Sequence, residues 1–379
     1  MSKGDVKRSE TGGFSAIDLN LSDQDTSPRV SRTKTIFLEF IMYRFILKRL
    51  GLLIPTLFGV ITLVFFMLAL SPGDPVRVML GERANKEAVE NLKAEMGLDK
   101  PMSEQYVLYL KRVVQFDFGK SIKTGADVID EIGARFPATI ELTLFAMFLA
   151  IVAGVFIGVI SATRRYSFID YASMFGALFG VSMPVFWLGL VLIIIFSVNL
   201  DLLPTGGRMD IRYYFTPITN FYIIDGFIHF FKTGSLNVLG SALSHIILPA
   251  VTLGTIPLAI IARITRSSML EVLKQDYIKT ARATGMPERK VIFKYALRNA
   301  LLPVVTVIGL QFGMLLSGAI LTETIFAWPG IGKWLYHAIE ARDFPAVQGG
   351  IIVISVCFVL INMFVDLLYT VINPKIRTE

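Results

Sequence analysis

Five stretches of 22–30 residues contain no Asp, Glu, Lys or Arg: Leu50–Gly73, Leu142–Thr163, Tyr171–Leu200, Thr233–Ala262 and Asn299–Thr322. A sixth runs from Phe344 to Val365 and continues past Asp366 to Ile372. About 20 apolar residues suffice for a helix to cross the hydrocarbon core of a bilayer. The expected fold class is therefore all-α integral membrane, with six transmembrane helices. Composition agrees. Of 379 residues, 54% are hydrophobic and 18% charged, and the mean hydropathy is +0.61; soluble domains average about 45–50% apolar and about 25% charged. Long aliphatic runs and 29 Phe exclude disorder for the bulk of the chain. Cys357 is the only cysteine, which excludes a disulfide scaffold, and His229, His245 and His337 are too scattered for a metal or haem site. No metal site is expected. The aromatic segment Tyr213–Phe231 contains Pro217, Asn220 and Asp225 and reads as interfacial or extracytoplasmic rather than as a seventh span.

Six spans place both termini on one side, and charge selects the side. The connector 263–298 carries nine Lys/Arg against three acids, and residues 1–49 carry nine against six. The region 71–136, on the other side, has ten basic and eleven acidic residues. Lys/Arg excess in short loops marks the cytoplasm, so both termini are expected there. The organisation that follows is a mobile cytoplasmic tail at 1–40, a first transmembrane helix at 41–73 and an extracytoplasmic region at 74–136. A core of five more spans at 137–374 then contains cytoplasmic helices at 270–298. Residues 1–35 lack an apolar core and contain five acids, unlike a cleaved targeting segment, so the first span is expected to stay as an anchor.

Small residues recur four apart on three spans: Gly154 and Gly158, Gly176 and Gly180, and Gly309, Gly313 and Ser317. They allow close backbone approach, either within the chain or against a second membrane subunit. Pro184, Pro249 and Pro257 interrupt helical hydrogen bonding within spans. Glu141, Glu323 and Asp366 lie near span ends, where water or a long basic side chain is expected to reach them. No charge falls at mid-membrane, which argues against an ion-coupled secondary transporter and for an energy source outside this chain.

The connector between the fourth and fifth spans is the most informative segment. Leu270, Leu273, Tyr277 and Ala281 recur at helical spacing, and Val291, Ile292 and Tyr295 give a second apolar stripe. Gly285 suits a left-handed helix end, and Pro287 with Glu288 suits the start of the next helix. Such a basic helix–Gly–helix unit fits either an anionic lipid surface or a groove on a soluble partner.

The run Asp276-Tyr-Ile-Lys-Thr-Ala-Arg-Ala-Thr-Gly285 resembles the EAA motif of binding-protein-dependent ABC importer permeases, in the form found in dipeptide and oligopeptide permeases. Lys279, Thr280 and Ala281 hold the first three places of that motif, and Gly285 holds its Gly. Further segments resemble the same family in order along the chain. They include Pro72-Gly-Asp-Pro75, Arg135-Phe-Pro-Ala-Thr-Ile-Glu-Leu142, Met183-Pro-Val-Phe-Trp187, Glu323-Thr-Ile-Phe-Ala-Trp-Pro-Gly330 and Asn373-Pro-Lys-Ile-Arg377. The resemblance is nearest to the first permease subunit of dipeptide transporters and leaves residues 1–40 outside.

The resemblance implies a type I ABC importer permease fold in the bacterial inner membrane. It implies four kinds of partner: a homologous second permease subunit, two ABC ATPase subunits, a periplasmic peptide-binding protein and the lipid bilayer, with no nucleic acid. Catalytic residues and cofactors are expected to be absent from this chain, ATP and Mg being bound by the ATPase partners. Asp276, Tyr277, Lys279, Thr280, Ala281, Arg282, Ala283 and Gly285 would contact the ATPase. Met183, Phe186 and Trp187, near the proline of the third span, are candidate gate residues. Trp328, Trp334 and Tyr336, in the loop Glu323–Pro345, are candidates for the binding-protein contact, with membrane anchoring as the alternative. Gly330-Ile-Gly-Lys-Trp334 lacks the first Gly and the Ser/Thr of a phosphate-binding loop. Dipeptides or short peptides are the expected cargo; nickel, haem and glutathione compete within the family, and a secondary transporter is the alternative from another class.

Overall fold

The computed structural model describes residues 51–67, 69, 70, 76, 80, 85–213 and 215–372, excepting the side chains of 92, 95, 96, 316–318 and 365–372. The tail 1–40, the segment at 72–75, the Asp366 side chain and the segment at 373–377 lie outside the described residues. Helix α1 is described over Gly51–Met67. Helices α2 (Lys86–Met96) and α3 (Met102–Val114) follow, and the long α4 (Val128–Thr163) comes next. The third apolar run divides into α5 (Phe168–Ser182) and α6 (Val185–Leu192), the latter continuing as a π-helix over Ile193–Asn199. Then come α7 (Tyr222–Thr233), α8 (Asn237–Val272) and the short α9 (Asp276–Ala283). Next are α10 (Glu288–Lys290), a π-turn over Val291–Ala296 and α11 (Leu297–Ile325). Helices α12 (Ile331–Glu340) and α13 (Phe344–Ile372) complete the described chain.

Among the described residues, four helices are long and apolar enough to cross a membrane, or five if the bent α5–α6 pair is one span. Helix α1 is shorter over its described part. At about 1.5 Å per residue, the 36 residues of α4 and of α8 span about 54 Å, well beyond a hydrocarbon core of about 30 Å. Both helices therefore extend past their uncharged runs. Helix α7, with 12 residues, is too short to cross.

The third apolar run is not one straight helix. Its halves are bent by 108° at Met183–Pro184. A residue before proline is excluded from the helical region by the proline ring, and Met183 accordingly has ψ 135°. Pro249 and Pro257 behave differently, since α8 runs through both without a break.

Helices α4 and α8 run parallel and in direct contact. A Cβ on Gly154 would lie 2.9 Å from Leu258 O, and one on Gly158 would lie 2.5 Å from Thr265 Cβ. Gly254 returns the contact, 2.8 Å from Ala146 O. The first small-residue pair is thus used within the chain. Gly176 differs, because a Cβ there meets nothing within 4 Å. Around this seam Leu142, Ala146 and Ala150 of α4 pack with Ile246, Ala250 and Leu253 of α8 and with Val304 and Leu315 of α11.

Candidate functional site

The connector between α8 and α11 is built onto the ends of the spans. Helix α8 continues to Val272, so Leu270 and Leu273 belong to its last turn and not to a helix shared with Tyr277. The expected stripe of Leu270, Leu273, Tyr277 and Ala281 is corrected accordingly: the chain turns at Lys274–Gln275, and α9 starts afresh at Asp276. Ile278 and Ala281 are its buried residues, whereas Tyr277 is 41% exposed.

Ile278 and Ala281 lie in one cluster with Val159 and Ala162 of α4, Met269 of α8, Val291 and Ala296 of the π-turn, and Ala300 of α11. One short helix thus touches the same ends of three spans. Its outward face carries Asp276, Tyr277, Lys279, Thr280, Arg282 and Ala283, all exposed. Lys279 Nζ pairs with Asp276 Oδ1 at 2.8 Å, and Asn299 Nδ2 donates to Tyr277 Oη at 2.8 Å.

The turn after α9 follows from sequence. Gly285 has φ +77°, Met286 N donates to Ala281 O at 3.3 Å, and Gly285 N donates to Arg282 O at 3.0 Å. These are the two bonds of a Schellman motif. Arg282 then reaches across the turn to Glu288, with NH2–Oε1 at 2.6 Å and Nε–Oε2 at 3.2 Å. The Glu288 carboxylate raises the pKa of the Arg282 guanidinium. Asp276, Tyr277, Lys279, Thr280, Ala281, Arg282, Ala283 and Gly285 are therefore brought together, with Ala281 facing inward as the seat of the helix.

Beside this unit, Asp170 is buried. It accepts from Arg266 Nε at 2.6 Å and NH2 at 2.7 Å, from Ser161 Oγ, and from Tyr166 N at 3.0 Å. This contact ties the start of α5 to α8. Periodicity gave no sign of it, because the partners are 96 residues apart.

At the opposite end of the spans the carboxylates are not open to water. Glu141 accepts from Arg208 NH2 at 2.5 Å and from Ile223 N at 2.7 Å, and Arg208 stacks 3.8 Å over the Tyr222 ring. Glu323 is fully buried. It accepts from Thr139 Oγ1 at 2.5 Å and from Lys333 N at 2.8 Å, which caps the start of α12. Thr139 Oγ1 also accepts from Ile331 N at 2.9 Å. The expectation that water or a long basic side chain reaches these carboxylates holds for Glu141, which Arg208 reaches, and is corrected for Glu323, whose donors are a threonine hydroxyl and a backbone N–H.

Of the aromatic residues assigned to an external contact, Trp328 is 1% exposed and donates from Nε1 to Ala138 O at 2.9 Å. Its place in the core withdraws it from any partner, which corrects its assignment. Trp334 is half-buried, with Nε1 donating to Glu131 at 2.7 Å, and Tyr336 is exposed. Phe186 and Trp187 are exposed beside the α5–α6 bend, at which Met183 sits. No group of three or more His, Cys, Asp or Glu arranged to hold a metal occurs among the described residues.

Residues 154–378 match the family described as binding-protein-dependent transport system inner membrane component, and residues 42–143 match its N-terminal companion. The chain belongs to this family. The permease is 51% identical over 343 residues to the di/tripeptide transport system permease protein DppB of Pseudomonas aeruginosa (strain UCBPP-PA14), covering 89% of this chain and 100% of that one. It is 50% identical over 340 residues to the dipeptide transport system permease protein DppB of Escherichia coli (strain K12), covering 89% and 99%. It is also 41% identical over 336 residues to the glutathione transport system permease protein GsiC of Escherichia coli O1:K1 / APEC, again covering 89% and 99%. The permease is a membrane component of a transport system, with several apolar helices of spanning length.

Proposed function

We propose that this permease is one of two membrane subunits of an ATP-driven importer of dipeptides or short peptides delivered by a periplasmic binding protein. The observation that carries this reading is the seating of α9. A helix whose inner face packs on α4, α8 and α11 while its outer face stays free is suited to transmit a push from a soluble partner to three spans at once. In this reading the partner is a pair of ATPase subunits, which bind ATP and Mg, and the permease itself catalyses nothing. Both termini and the connector are cytoplasmic, the spans number six, and the protein lies in the bacterial inner membrane beside a homologous second permease. Met183, Phe186 and Trp187 line the gate at the 108° bend. The α12 end faces the binding protein, with Trp334 and Tyr336 as contact residues.

The assignment of cargo draws on the printed names of the two relatives at 50–51% identity. Glutathione, a short peptide itself, is the second reading, drawn from the relative at 41%. Uptake of labelled dipeptides, longer peptides and glutathione by the reconstituted assembly separates them. The coupling role is tested by Ala281→Asp and Gly285→Pro. Both are expected to abolish uptake and its link to ATP hydrolysis while membrane insertion continues; uptake at the normal rate in both would overturn it.

A further inference from the structure

At the α12 end a cavity of about 240 Å³ opens between the turn at 121–124, the first turns of α4, and α12. Acids and bases both line it, but they are used unequally. Asp343 is buried and is satisfied by Ser121 Oγ at 2.5 Å, Lys123 N at 3.2 Å and Ala346 N at 3.2 Å. Glu131 is buried and is satisfied by Trp334 Nε1 at 2.7 Å and by Arg135, whose guanidinium also lies 5.9 Å over the Trp334 ring. Both carboxylates are thus committed to holding the walls. Lys123 and Lys333 line the same cavity, and neither Nζ makes a hydrogen bond or ion pair among the described residues. Lys333 is fixed through its backbone, because its N–H is held by Glu323, and its ammonium lies in the field of the same carboxylate without bonding to it. Lys123 is likewise held through its N–H by Asp343 and lies in the field of Glu340.

We infer that this cavity receives an anionic side chain, an Asp or Glu carboxylate, projected by the soluble binding protein when it docks on the permease. The inference rests on the proposed function, which puts a protein partner at this end. Charge complementarity selects a carboxylate, since the donors left over are ammonium groups and the acceptors are already occupied. Size selects a side chain over a cargo molecule, because small-molecule sites run from about 300 to about 1,000 Å³ and this cavity is smaller. Charged contacts of this kind govern partner choice and the rate of encounter, and charge reversal places like charges in contact.

The test is the affinity of the fluorescently labelled binding protein for the assembled transporter in lipid nanodiscs, measured over a range of salt. Lys333→Glu and Lys123→Glu are each expected to weaken binding at least about tenfold and to flatten its salt dependence, whereas Lys333→Arg is expected to keep both. Lys232→Glu, on an exposed lysine of α7 outside the cavity, is the control and is expected to change neither. A carboxylate-to-Lys change on the binding protein that restores the affinity of Lys333→Glu identifies the occupant. Unchanged affinity in both reversals, or a loss no larger than in Lys232→Glu, overturns the inference. So does unchanged affinity with a raised KM for peptide uptake, which would assign the cavity to cargo. If the wild-type assembly imports peptides while the reversals match it in binding, this inference alone falls. If the wild-type assembly binds no such protein, the proposed function falls with it.

Discussion

Arg266 and Asp170 meet as a fork on a carboxylate, Nε to Oδ1 at 2.6 Å and NH2 to Oδ2 at 2.7 Å, with Asp170 buried and Arg266 one-quarter exposed. The pair fastens the beginning of α5 to α8 six residues before that helix ends at Val272. Charge-assisted, two-pronged bonds are the stronger class, each contributing about 1.5–3 kcal/mol. Asp170→Asn should therefore destabilise the subunit by about 2 kcal/mol, and Arg266→Lys, which loses the fork but keeps the charge, by less. Thermal unfolding of the purified subunit measures both. Equal stability of Asp170→Asn and wild type would show that the fork is only a surface contact.

The seam between α4 and α8 gives a second expectation. Gly158→Ala puts a Cβ within 2.5 Å of Thr265 Cβ and 2.7 Å of Ala262 O, neither of which is the loose end of a long side chain. Overpacking of this kind costs about 1–3 kcal/mol. Gly176→Ala meets nothing within 4 Å and should leave the isolated subunit as stable as before. The yield of monodisperse protein and its melting temperature separate the two variants.

Around the connector, backbone and packing effects separate cleanly. A Cβ at Gly285 has room, so Gly285→Ala should cost only the left-handed conformation, about 1–2 kcal/mol. Ala281→Asp buries a carboxylate among Ile278, Val291 and Met269 and should cost several kcal/mol or detach α9. Limited proteolysis within 274–290 reads the difference: accelerated cleavage is expected in Ala281→Asp and near-normal cleavage in Gly285→Ala.

At the other end, Trp328→Ala removes a fully buried indole and its bond to Ala138 O, a change worth about 3–5 kcal/mol. Tyr336→Ala touches an exposed ring and should stay within about 0.5 kcal/mol. Intrinsic fluorescence during chemical unfolding checks both.

Four of the apolar runs were legible as helices of spanning length because a run without charge is a statement about solvent that needs no partner. Gly285, Pro287 and Glu288 were legible because caps are read within one turn. Pairs such as Thr139–Glu323 and Glu141–Arg208 were not, since they are 184 and 67 residues apart and no local period announces them. Trp328 misled for the same reason: an aromatic ring in a loop suits a surface and a core equally, and only the Ala138 carbonyl decides. The stripe Leu270–Leu273–Tyr277–Ala281 misled because a turn at Lys274–Gln275 resets the helical phase without a Gly or Pro to mark it.

Two helices whose backbones touch along three glycines have no layer of side chains between them to slide or shear. Helices α4 and α8 are in that sense a single plank, and the one sharp crease between paired apolar helices among the described residues lies away from it, beside Pro184.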